Sequence, residues 1–344
     1  MAVVPPIWSG TQTYGESVVL LSTSGGTAQG KLLRAPTGGI SGIQEVRTAR
    51  RDVVLIAGID WTYNSATQSI EKVAGGIAPS LVAEILAPGG VPVVHENRLL
   101  HEAQLAVTYT HSAGGWSGPT TSASAKLTTI RTKLIAGNPV KIVVWGDSIS
   151  VGANASGFPN GSAYDIISPY MPVWAELVTR RLTAKFGSVV TLANKSVGGQ
   201  QSSYGSTNHA AQVLPENPDL VIYGWGMNDG AANVAAATYA ANMAAQLADL
   251  RGTHATADAI MLSSMLPTQL TNPPHTGKHA LYGAQLATIA AGDGHCESID
   301  VTAASQALLT AKNYVDQSGN NYNHPSDYMH RVYAQLVLGL LDGL

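Results

Sequence analysis

The chain has 344 residues, 45% of them hydrophobic and only 12% charged, with a formal net charge of −3. This length allows one large domain or two, and the hydrophobic content is sufficient for a sizeable core. The weak negative charge, without any block of like charges, argues against nucleic acid as the main partner. No apolar run approaches the roughly 18 residues of a membrane span, and a single cysteine, Cys296, excludes an intrachain disulfide.

Gly, Ala, Ser, Thr and Asn are abundant where charged residues are few, which predicts a surface rich in hydroxyl and amide groups. Such a surface favours a secreted or periplasmic protein that faces sugars. Residues 1–6 show neither the basic n-region nor the apolar h-region of a signal peptide. The sequence leaves the compartment and the oligomeric state open.

Short β-prone segments, separated by Gly, Pro and Asn, occupy the first part of the chain. They are residues 17–21, 31–33, 53–56, 59–63 and 106–110. Frequent turn signals between short strands are typical of all-β sandwiches. We therefore predict a small accessory domain over 1–130, sandwich-like or jelly-roll-like, with its boundary in the Gly/Ser/Thr-rich segment 114–125. Trp61 and Tyr63 share one strand face, for which burial is favoured over exposure to sugars.

From about residue 139 the pattern changes to strands that alternate with helices. The predicted strands are 140–145, 189–192, 219–223, 259–262 and 297–300. The predicted helices are 174–186, 234–250, 277–291 and a last one that carries Met329, Val332, Tyr333, Leu336 and Leu340 on one face. This alternation implies a parallel sheet with helices on both faces, so we predict a three-layer α/β domain over 131–344.

Four short polar blocks follow predicted strands or precede the last helix. They are 146–148 (Gly-Asp-Ser), 194–199 (Asn-Lys-Ser-Val-Gly-Gly), 226–229 (Gly-Met-Asn-Asp) and 324–327 (His-Pro-Ser-Asp). Because parallel strands end at one edge of the sheet, we expect these blocks to meet there. Each block alone has an ordinary interpretation, as a tight turn, a helix cap or a loop histidine. Their combination indicates a serine nucleophile with its base.

With these blocks in this order, residues 139–344 resemble the SGNH hydrolases, a superfamily of serine esterases also called GDSL hydrolases. The resemblance implies a flavodoxin-like fold in which Ser148 is the nucleophile and His324 is the general base and later the acid. It also implies that the backbone N–H groups of Ser148 and Gly199 and the side-chain amide of Asn228 bind the oxyanion. No cofactor is expected, and the remaining histidines lack metal-binding spacing such as His-Glu-x-x-His.

The sequence departs from the family at the position that commonly carries the aspartate of the catalytic triad. Three residues before His324 stands Asn321, which cannot offer a carboxylate to an imidazolium. Three outcomes are open. In the first, Asp316 folds back to reach the histidine. In the second, a backbone carbonyl or Asn321 itself accepts the Nδ1 proton, which leaves a Ser–His dyad. In the third, the enzyme is inactive. Loss of such a carboxylate can lower the rate by orders of magnitude.

The residues after the nucleophile, 151–157, are small and polar, and they favour a short acyl group such as acetyl over a fatty chain. Tyr164, Tyr170, Tyr204 and Trp225 could offer flat surfaces to sugar rings, although core packing is favoured for Trp225. We therefore predict a serine esterase for short acyl esters of small molecules or polysaccharides. The alternatives are a carbohydrate-binding or surface-attachment protein with an inactive hydrolase domain, and a lysophospholipase or thioesterase.

Overall fold

The computed structural model describes residues 5–23, 26–34, 39–87, 93–159, 166–268 and 277–343. Tyr164, one of the aromatic residues considered for sugar binding, lies outside the described residues. The described part contains two small sheets from the first third of the chain and one parallel sheet from the remainder. None of its helices is both long and apolar enough to span a bilayer.

Eight strands form the two N-terminal sheets. They are β1 (Gln12–Val19), β2 (Leu21–Ser22), β3 (Gln29–Lys31), β4 (Ile40–Thr48), β5 (Trp61–Asn64), β6 (Ser69–Lys72), β7 (Leu81–Val82) and β8 (Gln104–His111). The strand orders are β1-β8-β4 and β5-β6-β3-β2-β7, antiparallel except for the short β2–β7 pair. Val18 and Val46 of the first sheet pack with Trp61 and Ile70 of the second in one core. A β-rich N-terminal region is confirmed, although residues 99–103 are helical, and Trp61 is buried as expected.

The predicted strand at 53–56 is wrong. Val54 makes one isolated bridge to Arg47, and the chain then turns, with the N–H of Asp60 donating to the carbonyl of Ile56. The Asp60 carboxylate also accepts the N–H of Ile56, at 2.8 Å. Local side-chain acceptors of this kind compete with a strand ladder, so β-branched composition does not suffice to make a strand here.

Five strands form the parallel sheet, each within two residues of its predicted position. They are β9 (Val140–Gly146), β10 (Val190–Asn194), β11 (Leu220–Gly224), β12 (Asp258–Leu262) and β13 (Cys296–Ile299). Their order is β10-β9-β11-β12-β13, which confirms the flavodoxin-like arrangement. The order reverses at β9, because β10 lies on one side of it and β11 on the other. Open α/β sheets bind ligands beyond the carboxyl end of such a strand.

Helices cover both faces of the parallel sheet, and one short helix lies in the N-terminal region. They are α1 (Leu99–Ala103), α2 (Thr128–Ile135), α3 (Ser148–Val151), α4 (Trp174–Phe186), α5 (Ser202–Gln212), α6 (Met227–Ala231), α7 (Ala236–Thr253), α8 (His279–Ala291), α9 (Val301–Leu309), α10 (Tyr314–Gln317) and α11 (Asp327–Asp342). Along β9, Ile142 and Val144 pack with α4 and α11, whereas Val143 and Trp145 pack with α7 and α8. Burial on both faces explains why this strand is a continuous apolar run.

The two regions are joined by buried contacts. The predicted boundary at residue 130 falls within α2, whose Ile130 and Leu134 are fully buried in the core of the parallel-sheet region. The boundary itself remains a prediction. Lys312, in the second region, lies 2.7 Å from Glu16 of β1, and both side chains are at most 1% exposed. An ion pair so shielded from water ties the regions together, because either partner alone would be an uncompensated buried charge.

Candidate active site

Ser148 stands at the carboxyl end of β9, in a turn that leaves no room for larger side chains. A Cβ at Gly146 would lie 2.4 Å from the carbonyl oxygen of Gly224. Asp147 caps α3, and its carboxylate accepts the N–H groups of Ile149 at 3.0 Å and of Met227 at 3.2 Å. Burial raises the pKa of Asp147 to about 7, although these hydrogen bonds oppose the shift. Asp147 thus joins the first polar block to the third.

The imidazole of His324 lies against the serine hydroxyl. Its Nε2 is 3.0 Å from Oγ of Ser148, although the two residues are 176 positions apart. The loop that carries His324 is fixed from within, since the N–H of His324 donates to Oδ1 of Asn320 at 3.0 Å. The carbonyl of His324 accepts the N–H of Gly319 at 2.9 Å. The structure therefore brings the two residues to the distance at which an imidazole can take the hydroxyl proton.

Three polar side chains surround the other ring nitrogen of His324. Oδ1 of Asn154 lies 2.9 Å from Nδ1, Nδ2 of Asn320 lies 3.2 Å away, and Oε1 of Glu96 lies 4.0 Å away. An Nδ1 proton donated to Asn154 leaves Nε2 free to accept from Ser148, which is the tautomer that a general base needs. Burial lowers the pKa of His324, whereas the nearby Glu96 carboxylate raises it.

Asn154 was not found by sequence reasoning, because nothing in its neighbourhood marks it as a partner of a histidine 170 positions away. Its backbone is left-handed, with a φ of 66°, a conformation that asparagine tolerates better than most residues. The preceding carbonyl, that of Ala153, lies 3.1 Å from Nε2 of the buried His330. Burial lowers the pKa of His330 to about 4, so this histidine is neutral.

Asp316 does not reach His324, and that expectation is corrected. Its carboxylate accepts the N–H of Val19 at 2.6 Å and that of Asn313 at 3.0 Å, and it lies 3.8 Å from Nζ of Lys312. Burial raises the pKa of Asp316 to about 6, against the effect of Lys312. This side chain is occupied in joining α10 to β1, so it is not available to the imidazole.

Asn321 is also turned away from the imidazole. Its Nδ2 donates to the backbone carbonyls of Leu86 at 2.8 Å and Val93 at 3.1 Å, and its φ is 62°. The residue in the family's aspartate position therefore holds the histidine loop to the N-terminal region rather than orienting the ring.

The groups expected to bind an oxyanion lie on two loops that are fixed to each other. Nδ2 of Asn228 donates to the carbonyl of Gln200 at 2.9 Å, which leaves its second N–H for another acceptor. The buried carboxylate of Asp229 accepts the N–H and the hydroxyl of Ser202, at the start of α5. These bonds hold the loop after β10 against the loop after β11.

The glycines of the second block differ from the expectation in one respect. A Cβ at Gly198 would lie 3.7 Å from Cβ of Ser148, so Gly198 is the glycine of this loop that faces the serine. A Cβ at Gly199 would meet nothing within 4 Å, but the φ of Gly199 is 76°. Glycine is therefore required at position 199 by its backbone conformation, not by close approach of another group.

The aromatic residues considered for sugar binding have different environments. Trp225 is fully buried, and Tyr204 packs against Trp145 with ring centroids 5.9 Å apart. Tyr170 is 59% exposed. In the described ranges no group of three His, Cys, Asp or Glu side chains is arranged to hold a metal ion.

A sequence model of the GDSL-like lipase/acylhydrolase family matches residues 144–332, more than half of the chain. The chain therefore belongs to this family, as the four blocks predicted. No curated protein has a significantly similar sequence.

Several solved structures resemble this one. A two-domain esterase active on acetylated mannans, crystallised with mannopentaose, has a TM-score of 0.49 and 16% identity, over 62% of this chain and 52% of its own. The acetylxylan esterase Axe2 of Geobacillus stearothermophilus has a TM-score of 0.48 and 19% identity, over 59% of this chain and 94% of its own. The match to the mannan esterase thus spans about half of that protein's length.

Proposed function

We propose that this hydrolase is a serine esterase that removes short acyl groups, of the acetyl type, from hydroxyl groups of carbohydrate-like substrates. The observation that carries the proposal is the 3.0 Å separation of Ser148 Oγ and His324 Nε2 at the switch point of the parallel sheet. A serine hydroxyl is a weak nucleophile until a base in hydrogen-bond reach takes its proton.

In the first step His324 takes the hydroxyl proton while Oγ of Ser148 attacks the ester carbonyl carbon. The carbonyl oxygen becomes an oxyanion, for which the N–H groups of Ser148 and Gly199 and the amide of Asn228 are the proposed donors. Each such donor is worth about 3 kcal/mol in the transition state. The imidazolium then protonates the departing alkoxide, the C–O bond of the ester breaks, and an acyl-enzyme remains. Water, deprotonated by His324, hydrolyses this intermediate and restores Ser148.

The character of the side chains around the serine supports a short acyl group. Gly198 lies directly against Ser148, the amide of Asn154 contacts the imidazole of His324, and the amide of Asn228 bonds to Gln200 of the loop that carries Gly198. The segment after the nucleophile, with Ala153 and Ala155 at most 4% exposed, is packed inside the protein. Glycines and amides suit an acetyl group on a hydroxyl-rich substrate, whereas a fatty chain needs apolar surface to bury.

The test is hydrolysis of 4-nitrophenyl esters with acyl chains of two to twelve carbons by the full chain, by Ser148→Ala and by the control Ser203→Ala. Ser203 is an exposed serine on α5 and should have no effect. The proposal expects turnover highest for acetyl, lost in Ser148→Ala and kept in Ser203→Ala. Activity that survives Ser148→Ala overturns the mechanism. A maximum at eight carbons or more favours the lysophospholipase or thioesterase, and an inactive intact chain favours the binding protein.

A further inference from the structure

A strap of the N-terminal region, defined here as residues 93–97, lies along the loop that carries His324. The N–H of His95 donates to the carbonyl of Asn320 at 2.9 Å, and Nδ2 of Asn320 donates to Oε1 of Glu96 at 2.9 Å. On the same side, the carbonyl of Val93 accepts from Asn321. The strap therefore brings a carboxylate of the predicted accessory region to the edge of the active site.

The carboxylate of a Ser–His–Asp triad performs two tasks. It accepts the Nδ1 proton, which orients the ring and selects the tautomer, and its charge stabilises the imidazolium that forms during the reaction. In this protein the acceptor at Nδ1 is the neutral amide oxygen of Asn154, at 2.9 Å. Asn154 can perform the first task, but it carries no charge for the second.

Glu96 supplies a negative charge near Nδ1 of His324. Its Oε1 is 4.0 Å from Nδ1 of His324, and it is the carboxylate that comes within ion-pair distance of that imidazole among the described residues. Asn320, which is fully buried, fixes the geometry, because its Oδ1 also accepts the N–H groups of Tyr322 and His324 at 3.0 Å. One side chain thus positions both the carboxylate and the ring.

Resting on the esterase function proposed above, we propose that the task of the missing triad aspartate is divided in this protein. Asn154 orients His324 by accepting the Nδ1 proton, and Glu96 of the N-terminal strap stabilises the imidazolium by its charge. Both are positioning residues, since each acts through the imidazole of His324. The N-terminal region then belongs to the catalytic machinery and is more than an accessory to it.

The other ionisable groups around His324 are accounted for. His330 of α11 is buried, and burial lowers its pKa to about 4, so it is neutral. Asp327 of α11 accepts the N–H of Ser156 at 2.7 Å. Asp147 accepts two backbone N–H groups on the serine side. Glu96 is therefore the group whose charge most directly decides the pKa of His324, which it raises against the opposite effect of burial.

The sign of the expected change follows from this arrangement. Activity requires neutral His324, so the rising limb of kcat/KM against pH reports the pKa of His324. Glu96→Gln removes the charge and keeps an oxygen for Asn320. The limb should therefore move to lower pH, by roughly 0.5–1 unit for a carboxylate that is 41% exposed. A weaker base should also lower kcat about three- to tenfold while KM stays unchanged.

The experiment compares the full chain with Glu96→Gln, Glu96→Asp and the control Glu102→Gln. Glu102 is a carboxylate of the same region, 49% exposed and paired with Arg50, so it should leave the profile unchanged. Glu96→Asp, which keeps the charge, should recover part of the shift. High salt should reduce the difference between wild type and Glu96→Gln, because it screens a partly exposed charge.

A second measurement separates this inference from the esterase proposal. The pKa of His324, read from its imidazole resonances by NMR in wild type and Glu96→Gln, does not depend on turnover. An unchanged pKa overturns the role of Glu96 even when hydrolysis depends on Ser148. A lowered pKa in Glu96→Gln supports the role of Glu96 even when hydrolysis survives Ser148→Ala and the esterase proposal fails.

Discussion

The serine side and the histidine side of the site are built in different ways. The serine side consists of Ser148, Gly198 and Asn228, each of which follows a strand of the parallel sheet within a few residues. Its geometry comes from strand ends and from bonds between the loops that follow them, such as that of Asp229 to Ser202. The histidine side is a loop whose position depends on Asn320 and on contacts to the N-terminal region. The proposed nucleophile therefore depends on strand ends, whereas the proposed base depends on contacts between distant segments.

The largest effect is expected from Lys312→Ala, which breaks the buried ion pair between the two regions. Glu16 would remain buried without its cation, so the free energy of unfolding should fall by about 3–5 kcal/mol. Lys133→Ala is the control, because Lys133 is 41% exposed and its pair with Asp219 should contribute about 1 kcal/mol or less. Urea unfolding of both variants measures the difference. Equal losses would show that the Glu16 pair does not hold the regions together.

Asn228→Ala tests the serine side. Removal of one oxyanion donor should lower kcat by about 10²–10³-fold with little change in KM, a loss of roughly 3–4 kcal/mol in the transition state. Asn208→Ala is the matched control, since the Asn208 amide bonds within its own helix to Tyr204. Steady-state kinetics on an aryl acetate measure kcat and KM for both variants. A loss confined to KM would assign Asn228 to ground-state binding instead.

A smaller effect concerns the pH dependence of stability. The pKa of Asp316 is raised from 3.8 to about 6 in the native state. Between these values the native state keeps a proton that the unfolded chain has lost, so the free energy of unfolding should fall as pH rises from about 4 to 6. The change is on the order of 2–3 kcal/mol. Asp316→Asn should flatten this slope, whatever its effect on the absolute stability. An unchanged slope in denaturation at several pH values would contradict the assignment.

The smallest effect is expected from Asn154→Asp, which restores a carboxylate at Nδ1. The charge should raise the pKa of His324 by about one unit or somewhat more, moving the rising limb of kcat/KM to higher pH. Asn217→Asp is a suitable control, because Asn217 is exposed and also left-handed, with a φ of 51°. A limb that stays in place would mean that Asn154 is not the acceptor of the Nδ1 proton.

The parallel-sheet region was predictable because its signals are local and strong. Buried strands such as β9 are continuous apolar runs, and α4 ends where Phe186 is followed by Gly187 in the left-handed conformation. The helices that were missed, such as α5 and α9, are rich in Ser, Gly, Thr and Ala, small residues that are also common in loops. In the N-terminal region β4 was missed and 53–56 was wrongly taken as a strand. Short strands there depend on pairing partners far along the chain.

The sequence by itself determined the family and the fold of its second region, and it predicted that Ser148 and His324 meet, because short motifs at strand ends carry this information. Only the tertiary structure decided which side chains surround Nδ1 of His324. Asn154, Asn320 and Glu96 come from three separate segments, and Asp316 and Asn321 are occupied by bonds to β1 and to backbone carbonyls of the N-terminal region. Contacts between segments hundreds of residues apart are set by packing of the whole chain, which no local pattern encodes.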